Sequence, residues 1–138
     1  MIRLQCATTA REQMLDITGR IQRAVDDSRM RCGACVVYVP HTTAAVTINE
    51  NADPAVVEDM LAHMATCVPR QAGFRHAEGN ADAHIKASLF GSSATVIVEH
   101  GRLQLGTWQS VFLCEFDGPR TRSLWVQCVA AAAENANV

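Results

Sequence analysis

Runs of β-branched and apolar residues, each cut short by a glycine or a proline, constrain this chain most. They leave room for many strands and little room for long helices. ACVVYV (34–39) is such a run and stops at Pro40, and AAVTIN (44–49) resumes an extended segment beyond it. Branched side chains of this kind favour a pleated, half-buried surface. Towards the C-terminus ATVIVEH (94–100), RLQLG (102–106), TWQSVFLCEF (107–116) and SLWVQCVA (123–130) read the same way, with Gly101 and Gly106 where a turn or bulge is needed. IRLQCATT (2–9) alternates enough to open the chain as a further strand.

Between these runs the period becomes helical. Thr18 caps or enters a helix through IQRAVDDS, whose Ile21 and Val25 share one face, and Gly33 closes that region. Asp53-Pro54 is a helix start, with an Asp cap and Pro in the first turn, followed by VVEDMLAHM and ending before Pro69. After the polar connection RQAGFRHAEGN, Asn80 is placed to cap ADAHIKASLF, and Gly91 ends it. Two to three helices, with strands before and after, predict an α+β fold built on an antiparallel β-sheet or sandwich. A chain of 138 residues is of one-domain size. Residues 1–138 are therefore read as one compact domain, with a frayed tail over residues 132–138.

Charge removes one class of function. The formal net charge is −2 and the pI near 6.2, without the basic excess of a chain that grips a nucleic-acid backbone. A small phosphorylated ligand needs only a few local cations and stays open. No run approaches the roughly 20 apolar residues of a membrane span, and MIRLQCATTAREQ has no signal-peptide core. The expected location is the cytoplasm, where the six cysteines would be reduced thiols, mostly small buried hydrophobes. Cys32 and Cys35 form a single CxxC pair, with no second pair to complete a four-thiolate zinc site.

Four polar clusters are candidates for chemistry. Pro40-His41-Thr42-Thr43, continuing to Asn49-Glu50-Asn51, puts an imidazole and two hydroxyls at a strand end, although the same residues also make ordinary turns. His76-Ala-Glu78-Gly-Asn80-Ala-Asp82-Ala-His84 alternates ligand-capable groups with small residues, leaving room for a metal or phosphate. Arg102, Gln104 and Gly106 alternate with Leu103 and Leu105, and Thr107 and Gln109 add hydrogen-bonding groups to a plausible anion-binding edge. Asp117-Gly118-Pro119 is turn chemistry, and Arg120 and Arg122 beyond it match phosphate oxygens or else pair with Glu115 and Asp117.

The stretches PHTTAAVTINENADPAVVEDM, HAEGNADAHIKASLFG and GRLQLGTWQSVFLCEFDGPRTR resemble the YjbQ-like family, often described as secondary thiamine-phosphate synthases. The resemblance spans about residues 2 to 129, nearly the whole single domain. It implies an antiparallel β-sandwich assembled as a homotrimer. It also implies joining of an aminopyrimidine diphosphate to a thiazole phosphate, with release of pyrophosphate. The family's polar positions fall on His41, Thr42, Thr43, Glu50, Asn80, His84, Gly106, Gln109 and Arg120, with His76 and Asp82 also fitting.

On this reading Glu50, Asp82 and His84 are the candidate catalytic residues, and Thr42, Thr43, Asn80, Arg102, Gly106, Gln109 and Arg120 bind substrate or phosphate. A divalent metal would sit on His41, His76 and His84, with Glu50 or Asp82 as the oxygen alternative. Imidazoles favour Zn²⁺, whereas departure of pyrophosphate favours Mg²⁺. Two functions stay open: a transferase that works by charge neutralisation and positioning, and a trimeric module that binds a metal or phosphometabolite with incidental turnover or none. No Ser-His-Asp or Cys-His set is legible, so covalent catalysis is not expected.

Overall fold

Strand alternation decides the layering. The computed structural model describes residues 1–132. Its elements are β1 (Ile2–Ala7), β2 (Gln13–Asp16), α1 (Thr18–Ser28), β3 (Gly33–Tyr38), β4 (Ala44–Glu50), α2 (Pro54–Cys67), α3 (Ala81–Phe90), β5 (Ser93–Glu99), β6 (Arg102–Leu103), β7 (Gln109–Glu115) and β8 (Thr121–Ala130). Pairing is antiparallel throughout, in a five-stranded sheet ordered β1-β8-β3-β5-β6 and a three-stranded sheet ordered β2-β7-β4. The expected α+β sandwich is what the chain forms.

Val37, Val96, Val98, Leu124 and Val126 of the larger sheet meet Val46, Val111 and Leu113 of the smaller one across one core. Helix α1 adds Ile21, Ala24 and Val25 to that core. Each such aliphatic side chain contributes about 1.5–3 kcal/mol when fully buried. The alternate residues of the smaller sheet, Ala45, Phe112 and Cys114, point the other way and pack on Ala83 and Ala87 of α3 and Val57, Met60 and Leu61 of α2. The order of layers is therefore large sheet, small sheet, then helices α2 and α3, with α1 adding to the core between the sheets. Among the described residues no helix covers the outer face of the large sheet: Ala34 lies level with Ile97 on one side and Val129 on the other, and the latter two are 67% and 53% exposed.

Several local expectations change. QMLD forms β2, which the sequence reading missed because four residues are too few to show a period. The predicted RLQLG strand shrinks to Arg102–Leu103, and β7 starts at Gln109 rather than at Thr107, because a turn intervenes in which the Gln109 N–H donates to the Gly106 carbonyl. Of the two roles expected of Thr18 the structure has it enter α1 as the first residue, and the Asp16 carboxylate accepts its N–H. Asp53 caps α2 as expected, accepting from the Ala55 N–H. Asn80 precedes α3 without using its side chain as a cap, since that amide is committed elsewhere. Residues 133–138 of the expected frayed tail lie outside the described residues. Among the described residues no helix is long and apolar enough to cross a membrane.

Candidate functional site

Pro40 ends β3 and throws the next three residues clear of the sheet, because proline offers no N–H to the ladder. His41, Thr42 and Thr43 thus form the rim between β3 and β4. The start of α3 and the β7–β8 turn close on the same place. Together they enclose a cleft of about 570 Å³ lined by His41, Thr42, Thr43, Asn80, His84 and Arg120, with Tyr38, Glu78, Asp117, Arg122 and Trp125. Six residues expected from sequence are therefore brought together. Tyr38 and Trp125 supply an aromatic wall, their ring centroids 5.6 Å apart.

Behind the rim the polar groups are fixed by one another. The Arg122 guanidinium is buried and donates twice to Glu115, at 2.8 and 2.5 Å, and to the Thr43 hydroxyl at 2.8 Å. Burial alone would raise the Glu115 carboxyl, but Arg122, the Asp117 N–H and the Thr8 hydroxyl outweigh it and hold the group below its ordinary value. Thr43 and Arg122 are therefore scaffold rather than free binding groups. The His41 Nε2 accepts the Ser123 N–H at 2.8 Å, so its remaining proton is on Nδ1. Burial lowers the His41 pKa, with the Arg122 charge adding to the effect, and the ring is neutral.

Asp117 is the hub at the other wall. Its carboxylate accepts from Arg11 Nη1 at 3.1 Å, Asn80 Nδ2 at 2.9 Å and Arg120 Nη2 at 2.9 Å. Burial would raise its pKa, yet the Asn80 bond and the charges of Arg120, Arg11 and Arg122 pull it below the ordinary value. Two groups are left unsatisfied. The Arg120 side chain is 54% exposed and uses Nε and Nη2 on Asp117, leaving Nη1 without a partner among the described residues. The bond to Asp117 fixes the Asn80 amide, and its Oδ1 is buried with no donor among the described residues. A free cationic donor in a cleft lined also by Asn80 suits a ligand that carries an anion and an N–H or O–H.

The remaining expected residues go elsewhere. Asp82 is fully buried, its oxygens accepting from Arg11 at 2.9 Å and Lys86 at 3.3 Å, so it is not available as a ligand or acid in the cleft. Glu50 pairs with Gln109 six residues along β4 from the rim, about 20 Å away at the strand rise. Gly106 donates its N–H to Gln109 Oε1 in the turn beside them, and Arg102 lines a different depression. His76 stands edge-on to His84 at 5.3 Å, while His41 has spent its lone pair on Ser123. Among the described residues no group of three His, Cys, Asp or Glu side chains is placed to hold a metal ion. His41, His76 and His84 are not gathered into such a group in the structure.

The sequence reading overlooked Arg11, Tyr38 and Trp125. Trp125 was detectable, since Leu124 and Val126 face the core and the residue between them must face out. Arg11 gave no signal, because its partners lie 71 and 106 residues away.

Comparison with known proteins bears on the whole domain. Residues 2–131 match the family model described as UPF0047 protein YjbQ-like. A UPF0047 protein of Methanocaldococcus jannaschii is 47% identical over 129 residues, covering 94% of each chain. The UPF0047 protein YugU of Bacillus subtilis is 50% identical over 125 residues, covering 90% of this chain and 95% of its own. Among solved structures, a YjbQ/UPF0047 family protein from Clostridium acetobutylicum superposes with a TM-score of 0.92 at 47% identity, covering 94% of this chain and 100% of its own. A conserved protein from Thermus thermophilus gives 0.87 at 42% identity, with coverage of 94% and 100%.

Proposed function

We propose that this chain, which belongs to the UPF0047 YjbQ-like family, holds a phosphorylated heteroaromatic metabolite in the Arg120–Trp125 cleft and acts as a thiamine-phosphate synthase-type transferase. The observation that carries the reading is the pairing of Arg120's free guanidinium edge with the unmatched Asn80 Oδ1 in a cleft with an aromatic wall. An aminopyrimidine diphosphate offers a partner to each. Its phosphates take Arg120 and the Thr42 hydroxyl, its exocyclic amine donates to Asn80, and its flat ring lies on Tyr38 and Trp125.

In the reaction the bond from the pyrimidine methylene carbon to the diphosphate oxygen breaks, and the electron pair leaves with pyrophosphate. The thiazole nitrogen lone pair forms the new C–N bond, giving thiamine phosphate. Charge grows on the departing phosphates, so a fixed cation beside them lowers the barrier more than it stabilises the bound substrate. Neutral His41 and the His84 ring offer N–H donors on the same side without adding a competing charge at His41. The homotrimer is part of the proposal, and the uncovered face around Ile97 and Val129 is the surface it would use.

The test is product formation by metal-stripped protein given both phosphorylated substrates, alone and with Mg²⁺, Mn²⁺ or Zn²⁺. Thiamine phosphate should form and fall about 10- to 100-fold in Arg120→Ala, the loss of one charged hydrogen-bonding partner, with circular dichroism unchanged. A wild-type protein that makes no product with any ion, yet binds the pyrimidine, would replace the transferase with a binding module. Equal rates in wild type and Arg120→Ala would remove the site. Sedimentation equilibrium checks the trimer.

A further inference from the structure

Arg102, expected beside the leaving phosphates, lies instead in a second depression of about 390 Å³ with Val25, Asp26, Arg29, Met30, Arg31, His100 and Gly101. It is at the opposite end of β3 from the first cleft: residues 29–31 precede Gly33, whereas Tyr38 lines the cleft. Three of the chain's 12 cationic side chains meet here in a protein of net charge −2. None of the three guanidinium groups forms an ion pair among the described residues. The other clustered arginines of the molecule, Arg11, Arg120 and Arg122, all have carboxylate partners.

The floor beneath them is built rather than loose. Gln22 spans the gap between α1 and the β5–β6 turn, donating to the Gly101 carbonyl at 2.9 Å and accepting from the Leu103 N–H at 3.0 Å. The Gly101 N–H donates to the Arg31 carbonyl at 2.8 Å, which locks the two arginine-bearing segments together. Arg29 and His100 both occupy the left-handed region, at φ 56° and 52°, where a side chain beyond glycine is uncommon. Asp26, the one acid among the lining residues, has an oxygen engaged by Gln22 at 2.9 Å, and Glu99 lies opposite Arg102 in the β5–β6 pair without forming an ion pair with it among the described residues.

We propose that this depression is a second anion site that takes an oligophosphate chain, separate from the cleft and independent of the activity assigned to it. Three guanidinium forks on a fixed frame suit successive phosphate groups, because each fork binds a phosphate through two parallel N–H bonds. The overall acidity of the chain argues against a nucleic-acid backbone as the occupant. A bare oligophosphate and the phosphate end of a nucleotide share this chemistry.

Amide-resolved NMR with inorganic tripolyphosphate at about 150 mM salt, where diffuse surface attraction is largely screened, tests the site. Arg120→Ala serves as a background in which the first cleft is disabled. Saturable shifts at Gly101, Arg102 and Leu103 that persist in that background, and weaken about tenfold or more in Arg102→Gln and in Arg29→Gln/Arg102→Gln, are the expected result. A parallel titration with ATP separates a bare chain, bound equally well, from a nucleotide, bound more tightly. Absence of saturable shifts at Gly101, unchanged affinity in Arg102→Gln, or equal binding of citrate would overturn the proposal.

Discussion

Arg120 and Arg122 are two residues apart and do opposite work. Arg122 is buried and satisfied by Glu115 and Thr43, whereas Arg120 keeps a free edge in the cleft. Spacing in sequence could not separate them, because residues two apart share a strand face; they differ because Arg122 is in β8 whereas Arg120 stands in the turn before it. Lys86, the chain's only lysine, is equally committed: it is 1% exposed and held by Glu12 and Asp82. Lys86→Met should cost about 3 kcal/mol, the low end for breaking a buried pair, because Asp82 keeps Arg11. Urea unfolding measures it, and a loss under about 1 kcal/mol would show that the pair is not held as described. His41 sets a pH response. Its pKa is below the ordinary 6.5, so on acidification the unfolded chain takes up this proton first. Stability is full above about pH 6.5 and falls as pH drops towards the depressed folded value. Glu115 and Asp117, held below 4.5 and 3.8, add stability that is lost only at lower pH, as it falls through their own folded values. Replacing His41 with Gln should flatten the decline that begins below about pH 6.5 and leave the acid limb. Parallel profiles for the two proteins in urea unfolding would contradict the assignment.

At the scale of elements, the long apolar runs fixed most of the architecture. ACVVYV, AAVTIN and SLWVQCVA each became a strand because their alternate residues had a core to face, and Asp53-Pro54 started α2 because an N-cap and a first-turn proline act locally. What failed was decided at a distance. Asn80 looked like a cap, but Asp117, 37 residues on, drew its amide away. The β6–β7 region looked continuous, but Gly106 and Gln109 closed a turn within it. Gly33 shows how closely the strands approach: a Cβ there would lie 2.1 Å from the Val129 carbonyl oxygen, in a backbone with φ +152°. Gly33→Ala should therefore destabilise by about 2–4 kcal/mol, read as a lower midpoint in urea at unchanged slope. A midpoint equal to wild type would mean that β3 and β8 part easily at this point.

For the whole molecule, the sandwich places two polar regions at opposite ends of β3, and this explains why the site was only half legible. His41, Thr42, Thr43, Asn80, His84 and Arg120 come from segments whose ends converge, whereas Glu50, Gly106, Gln109 and Arg102 belong to segments that leave the same sheets in other directions. Residue type marks what a side chain can bind, and topology decides whether its neighbours can bind the same thing. The central claim is that the Arg120–Trp125 cleft holds a phosphorylated heteroaromatic ring. Trp108 is 66% exposed in the β6–β7 turn, so Trp108→Phe leaves Trp125 as the only indole without disturbing the core. Titrating that protein with the aminopyrimidine diphosphate should change Trp125 fluorescence saturably, and Arg120→Ala in the same background should weaken binding at least about tenfold. A fluorescence signal that never responds, or one that saturates identically with Arg120 removed, would contradict the account.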